Sequence, residues 1–440
     1  MKENERLKMK IGRMNNSNKK KGIDEKKKKA INRKRWATVQ LQEVWNKKNK
    51  VCNDEAAGTE EKVNQTFQRE EYFQELRKTK GILLQQINKH AVKTIHSPDG
   101  DIIDCVMIHK QPAFNHPLLK GHKLLDPPEI PKGHNQTGIL SDNFQLWSLS
   151  GESCPDKTIP ILRNIKDGIM SKPSSPNIFK RESINEFPTA KHEYAIAEAS
   201  EGEYYGGKAI FNVWEPYVSD NEFSLAQIWV VSGSTVVNSL EVGWQVYKGL
   251  YEDNLPKLFV YWTADTYKTT GCYNLKCPGF VQINNKILLG GTLTKISTYN
   301  GKQFVFTAMV WKDSKTQNWW LRIGTEIIGY WPSSLVPLLK NHASIVQFGG
   351  EIVDTGPIWY HTNTQMGSGN FPNEGFRRAA YVRTLQVVDS NNYLNQIPNP
   401  YFEATFPNCY DIKQGFNNVW GKYFYYGGPG QNSKCTRGNK

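Results

Sequence analysis

Residues 240–247 read LEVGWQVY, and residues 345–354 read IVQFGGEIVD. On a strand, successive side chains point to opposite faces. In the first stretch Leu240, Val242, Trp244 and Val246 share one face, while Glu241, Gly243, Gln245 and Tyr247 share the other. In the second, Val346, Phe348 and Ile352 oppose Gln347, Gly349 and Glu351. Each glutamate has a glycine two residues away on its own side. As neighbouring strands the two stretches would make a floor with two carboxylates and open space above it. A wet outer face of an antiparallel sheet would give the same alternation. The matched glycines, and the same-face glutamines Gln245 and Gln347, set these glutamates apart from ordinary surface residues.

Around them, short aromatic and β-branched runs recur between turns: KAIFNVWEPYV, FSLAQIWVVSG, KLFVYWTADTY, GFVQINN, QFVFTAMVWKD, NWWLRIGTEIIGYWP, RRAAYVRTLQVVD and GKYFYYGG. Ten of the 13 tryptophans lie beyond residue 200, which places the main core there. The pattern predicts about ten strands and an all-β, antiparallel double-sheet β-sandwich over residues 190–440. Residues 70–187 read as a small mixed α/β unit. It has an amphipathic helix in EEYFQELRKTKGILLQQINK and strands in HSPDGDIIDCVMI and CPDKTIPILR. A Pro- and His-rich extended stretch covers 110–140, and an exposed linker prone to cleavage covers 171–191.

Net charge is +14, but residues 1–50 alone carry 18 Lys and Arg against 5 Asp and Glu. The high charge therefore belongs to an arm, residues 1–68, that reads as disordered, and not to a basic globular surface. Nucleic acid is not the expected partner. No run of 18 apolar residues exists, so no transmembrane helix is expected.

Seven cysteines are present. Cys272 and Cys277, in CYNLKC, could close a short disulfide or offer two metal thiolates. Zinc needs four ligands, usually from two close pairs, and no CxxC occurs. Disulfides Cys272–Cys277 and Cys409–Cys435 are the favoured reading, with free buried thiols the plain alternative. Cys105 and Cys154 could pair as well, leaving Cys52 over. Disulfides imply an oxidising compartment. There is no HExxH and no GxSxG, so neither a metal centre, a bound cofactor nor a nucleophile elbow is expected.

Two carboxylates brought together cannot both ionise easily, and they titrate as a unit. The ionised one can take a proton from water while the protonated one serves the scissile carbonyl or the leaving group. Gln227, Gln245 and Gln347 are candidates to hold the water or the oxyanion, and Tyr247 is a candidate substrate contact. Asp265, Glu326 and Glu215 lack the glycine clearance and read as structural or surface residues. A glycoside hydrolase, or a non-catalytic module binding cell-wall polymer or peptide, would use similar features.

YYGGKAIFNVWEPYV, EFSLAQIWVVSG, LEVGWQVY, LFVYWTADTYKTTGCYNLKCPGFVQIN and VQFGGEIV together resemble the plant neprosin family of glutamic peptidases. SPDGDIIDCVMIHKQPAFNHPLLK and QLWSLSGESCPDKTIPI resemble that family's activation peptide. The resemblance runs from about residue 70 to 440. It implies a zymogen, its propeptide an intramolecular inhibitor, and a monomer acting on peptides or proteins in acid, after proline. It places the catalytic glutamates on Glu241 and Glu351 and the disulfides on Cys272–Cys277 and Cys409–Cys435. It also implies a secreted or vacuolar protein. The family expects a signal peptide, whereas this chain opens on a lysine-rich arm, which we read as a mispredicted exon.

Overall fold

The computed structural model describes residues 91–133, 144–163, 191–268, 270–357 and 360–435. The lysine-rich arm, Cys52, the helix expected near residues 70–90 and nearly all of the 171–191 linker lie outside them. Among the described residues, 19 strands form three sheets, and every ladder between them is antiparallel.

The first sheet belongs to the activation-like unit. It joins β1 (Ala91–His96), β2 (Ile102–Met107) and β3 (Thr158–Arg163) in that order. The Pro-Asp-Gly turn links β1 to β2 as expected. The Cys105–Cys154 disulfide ties β2 to the chain just before β3. The stretch read as extended over 110–140 differs in part. Pro112–Asn115 and Pro117–Leu119 are 3-10 turns, each opened by a proline whose fixed φ suits a first helical position.

The other two sheets face each other. The seven-stranded sheet runs β17 (Tyr401–Ala404), β4 (Lys191–Ala199), β14 (Ile345–Asp354), β6 (Ser224–Gly233), β7 (Val237–Val246), β8 (Lys257–Thr263) and β9 (Cys272–Tyr273). The nine-stranded sheet is centred on β5 (Gly206–Asn212), β11 (Val305–Lys312) and β15 (Ala380–Val388). The run NWWLRIGTEIIGYWP, read as one strand, is a hairpin of β12 (Trp319–Ile323) and β13 (Glu326–Trp331), turning at Gly324 and Thr325.

The alternation read from 240–247 holds. Leu240, Val242, Trp244 and Val246 are fully buried against Phe211, Phe306 and Val310 of the nine-stranded sheet. Each such aliphatic side chain stabilises by about 1.5–3 kcal/mol. Trp244 also donates its Nε1–H to the Asn212 carbonyl at 3.1 Å, stitching the two sheets together. The opposite face of the seven-stranded sheet builds a second, aromatic cluster with Phe223, Trp229, Phe259, Tyr261 and Tyr273. That second face carries the glutamates.

Candidate active site

Strand register lays the floor out as three rows. One reads Tyr261–Glu241–Trp229–Gln347–Glu198 across β8, β7, β6, β14 and β4. The middle row is Phe259–Gly243–Gln227–Gly349–Ile196. The third is Lys257–Gln245–Leu225–Glu351–Tyr194. Glu241 and Glu351 thus share a face, as the alternation required, but their strands are not neighbours. β6 lies between, and the glutamates occupy opposite corners of a patch with Gln227 at its centre. Two strand spacings and four residues along the strand put their Cα atoms roughly 16 Å apart on a flat sheet.

Each glutamate is buried, Glu241 at 0% exposure and Glu351 at 1%, so each needs partners. Glu241 Oε2 accepts from Gln227 Nε2 at 2.8 Å, and its Oε1 accepts from Ser239 Oγ at 3.1 Å and Tyr267 Oη at 2.7 Å. Ser239 stands two residues before Glu241 on the same strand face. Tyr267 comes from the turn after β8. There Thr266 and Tyr267 both adopt positive φ, 61° each, a conformation disfavoured for side chains of this kind. Asp265 pins that turn, accepting from the Lys268 and Thr270 amides at 3.1 and 3.0 Å and from Thr270 Oγ1 at 2.7 Å. So Asp265 is structural, as expected, but its structure serves the site. Glu351 Oε1 pairs with His192 Nδ1 at 2.6 Å.

The remaining expected residues lie on this face with separate duties. Gln347 Nε2 donates to Glu198 at 2.8 Å, and Gln245 Nε2 donates to Tyr251 Oη at 3.0 Å. Tyr247 packs beside Phe223, ring centres 5.6 Å apart. Glu326 faces away and pairs with Lys286 at 3.3 Å. The Oε1 atoms of Gln227 and Gln245 are buried without a hydrogen-bond partner. Buried acceptors are normally satisfied, so two on one floor invite donors from a ligand.

The glycines do more than clear space over the floor. A Cβ at Gly243 would run into the Ala226 carbonyl and the Gln227 backbone of β6. At Gly349, with φ of 152°, it would meet the Ala195 carbonyl of β4. Both let adjoining strands close in on the middle row.

Behind the floor, on the reverse face of β4 and β14, Glu193, Asp354 and His361 gather within metal-ligand distance of one another. His361 Nε2 lies 2.9 Å from Glu193 Oε2. Burial alone would pull the His361 imidazolium down, but the hydrogen bond and charge of Glu193, with Asp354 beyond, outweigh it and leave its pKa raised. His361 also lies beside Cys409 and Cys435, but those sulfurs form a disulfide and offer no thiolate. The third disulfide, Cys272–Cys277, closes the loop after β9 begins.

The fold and floor define an all-β protein with a carboxylate-bearing sheet face. Residues 220–429 match the Neprosin family model, and residues 94–200 match that of the Neprosin activation peptide. The chain belongs to the neprosin family. Its fold also resembles two solved structures at long range. One is scytalido-glutamic peptidase with a peptide-based transition-state analogue, 12% identical, covering 55% of this chain and all of that one, TM-score 0.31. The other is SCP-B, a member of the Eqolisin family of peptidases, in a complex with the tripeptide Ala-Ile-His, 11% identical over 54% and 98%, TM-score 0.30. Likeness at that distance says nothing about chemistry. The family and its activation peptide support a glutamic-type peptidase made as a zymogen.

Proposed function

We propose that this chain is the zymogen of an acid-acting glutamic endopeptidase that cleaves on the C-terminal side of proline, with Glu241 and Glu351 as its catalytic pair. The observation that carries the reading is the floor itself. Two buried glutamates flank a glycine-bounded row whose central Gln227 holds one of them and presents an unpaired Oε1 acceptor. A peptide lying over that row has N–H donors to offer this acceptor. One glutamate, ionised, takes a proton from water, and the oxygen adds to the scissile carbonyl carbon. The other, protonated, gives its proton to the departing nitrogen as the C–N bond breaks.

Glu241 and Gln227 stand at zero exposure, while His192 and Gln347 on the same face are partly exposed. The proposed inhibitor is the activation segment, residues 70 to about 187, removed by a cut within 175–192. The three disulfides fit an oxidising destination, secreted or vacuolar. No helix among the described residues is long and apolar enough to cross a membrane. The test is acid treatment of the full chain, then assay on a proline-containing peptide beside a glucan panel, with Glu241→Gln and Glu351→Gln in parallel. Peptide cleavage lost in both variants supports the reading. Cleavage of glucan alone, or unchanged peptidase activity in both variants, refutes it.

A further inference from the structure

We propose that His192 is a positioning residue for Glu351, and that maturation must therefore cut the chain before it. This rests on the reading of Glu351 as catalytic. His192 pairs in register with Val353, one step diagonally from Glu351 on the same face of β4 and β14. Its Nδ1 stands 2.6 Å from Glu351 Oε1, a short contact of the charge-assisted kind. The ring, 28% exposed, is flanked by two aromatic neighbours. It stacks on Tyr194 with an interplanar angle of 19°, and its centre lies 5.9 Å from that of Phe223. A donor held in that way fixes the rotation of the Glu351 carboxyl and so fixes where its second oxygen points. Either protonation state can serve, because an Nδ1–H donates in the imidazolium and in one neutral tautomer.

The position of His192 in the chain adds a constraint. It is the second residue of β4, and the activation-peptide match extends through it to residue 200. By sequence, then, His192 belongs with the activation peptide. By structure it belongs to the catalytic sheet, because β4 is hydrogen-bonded between β14 and β17. A cut beyond residue 192 would leave Glu351 without this partner. A cut before it would leave the histidine near the new N-terminus and in place.

The experiment uses the full chain, acid-matured, as wild type, His192→Ala, His192→Asn and Glu351→Gln, with circular dichroism on each. An asparagine can offer a donor near the Nδ1 position without a charge. By comparison with other orienting groups, His192→Ala should lower kcat about 10–100-fold with KM changed by less than about twofold, and His192→Asn should recover most of the loss. N-terminal sequencing of active wild type should begin at or before His192. If Glu351→Gln stays fully active, the reading of the site fails and this inference with it. If Glu351→Gln is inactive while His192→Ala keeps wild-type kcat and pH profile, only the role of the histidine is wrong. Native spectra with His192→Asn as impaired as His192→Ala, or an active form beginning after residue 192, would overturn it as well.

Discussion

Two groups of carboxylates meet the same face of the seven-stranded sheet, and they are held in different ways. Glu241 is held by an amide, a hydroxyl and a phenol, and Glu351 by an imidazole. At the far end of the Glu351 row stands Lys257, 1% exposed, with its Nζ 2.8 Å from Asp253, 3.5 Å from Asp101 and 3.8 Å from Asp99. Asp99 and Asp101 belong to the β1–β2 turn of the activation segment. The grip of that segment on the seven-stranded sheet thus runs through a buried full charge. Without the segment's two aspartates this ammonium keeps one of its three anions, Asp253. The donors on Glu241 carry no such liability. Acid can therefore loosen the segment by neutralising Asp99, whose pKa is lowered, while the donors around Glu241 stay in place.

The largest effect should come from the floor. Glu241→Gln and Glu351→Gln should each lower kcat by about a thousandfold or more, as loss of an essential proton-transfer group does. Gln347→Ala should change kcat far less, because its amide is committed to Glu198. If Gln347→Ala were as damaging as the glutamate variants, the row shared by Glu241 and Gln347 would be the reacting pair, and the assignment to Glu351 would be wrong. Gly243→Ala tests the floor as architecture. Its methyl group would overlap the β6 backbone, and overpacking of this kind costs about 1–3 kcal/mol or more. Thermal unfolding should show a midpoint several degrees lower.

Much of the floor was legible in the chain. Period-2 alternation placed Glu241 and Glu351 on polar faces, and the turn-bounded aromatic runs announced the sandwich. Ser239 was missed, although it stands two residues before Glu241 on its own face. His192 and Tyr267 were not legible. His192 reaches Glu351 only because β4 pairs with β14 across 159 residues, and no local pattern encodes that register. Tyr267 depends on two residues in a left-handed turn that propensity argues against. The same limit explains the strand order. Alternation gives a face, but whether β6 lies between β7 and β14 is a matter of long-range pairing. On the activation segment, four histidines of the sequence differ in their surroundings. Burial pushes His116 and His122 down, His109 is exposed, and His134 lies outside the described residues.

A middle-sized effect is expected at the edge. Burial would raise Asp99, but hydrogen bonds from Ser97 and Thr292 and the charge of Lys257 outweigh it and leave its pKa lowered. Asp101 is raised by burial despite Lys257. A lowered carboxyl contributes stability above its free value, near 3.8, and loses it as pH falls through the docked value. A raised one works the other way and favours docking in acid. Asp99 is then the acid-release group and Asp101 is not. The lowered His116 and His122 act with Asp99, since docking with neutral rings is lost as pH falls below about 6.5 through their docked values. His122 donates to or accepts from Tyr330 Oη at 2.8 Å on the nine-stranded sheet. Asp99→Asn should mature faster at mildly acid pH than wild type, and Asp101→Asn should stay close to wild type. Time courses of processing on gels decide it. The reverse order would make Asp101 the latch.

The smallest effect concerns the reverse of the floor, where Glu193 and His361 pair within the core. The pKa of His361 is raised above the ordinary 6.5. A raised imidazole contributes stability that is fully present below about 6.5 and is lost as pH rises through the folded value. The sign is opposite to that at Asp99, His116 and His122. On one sheet, then, acid loosens the docked activation segment and strengthens the core pair beneath β4 and β14. This asymmetry lets one drop in pH release the segment without unfolding what it covered. His361→Gln keeps a polar side chain and removes the charge. Thermal midpoints of mature protein should fall for wild type as pH climbs past 6.5, while the variant starts lower in acid and changes less over the same range. If the two curves run parallel from pH 4 to 8, the pair adds no pH dependence, and acid tolerance must come from elsewhere in the sandwich.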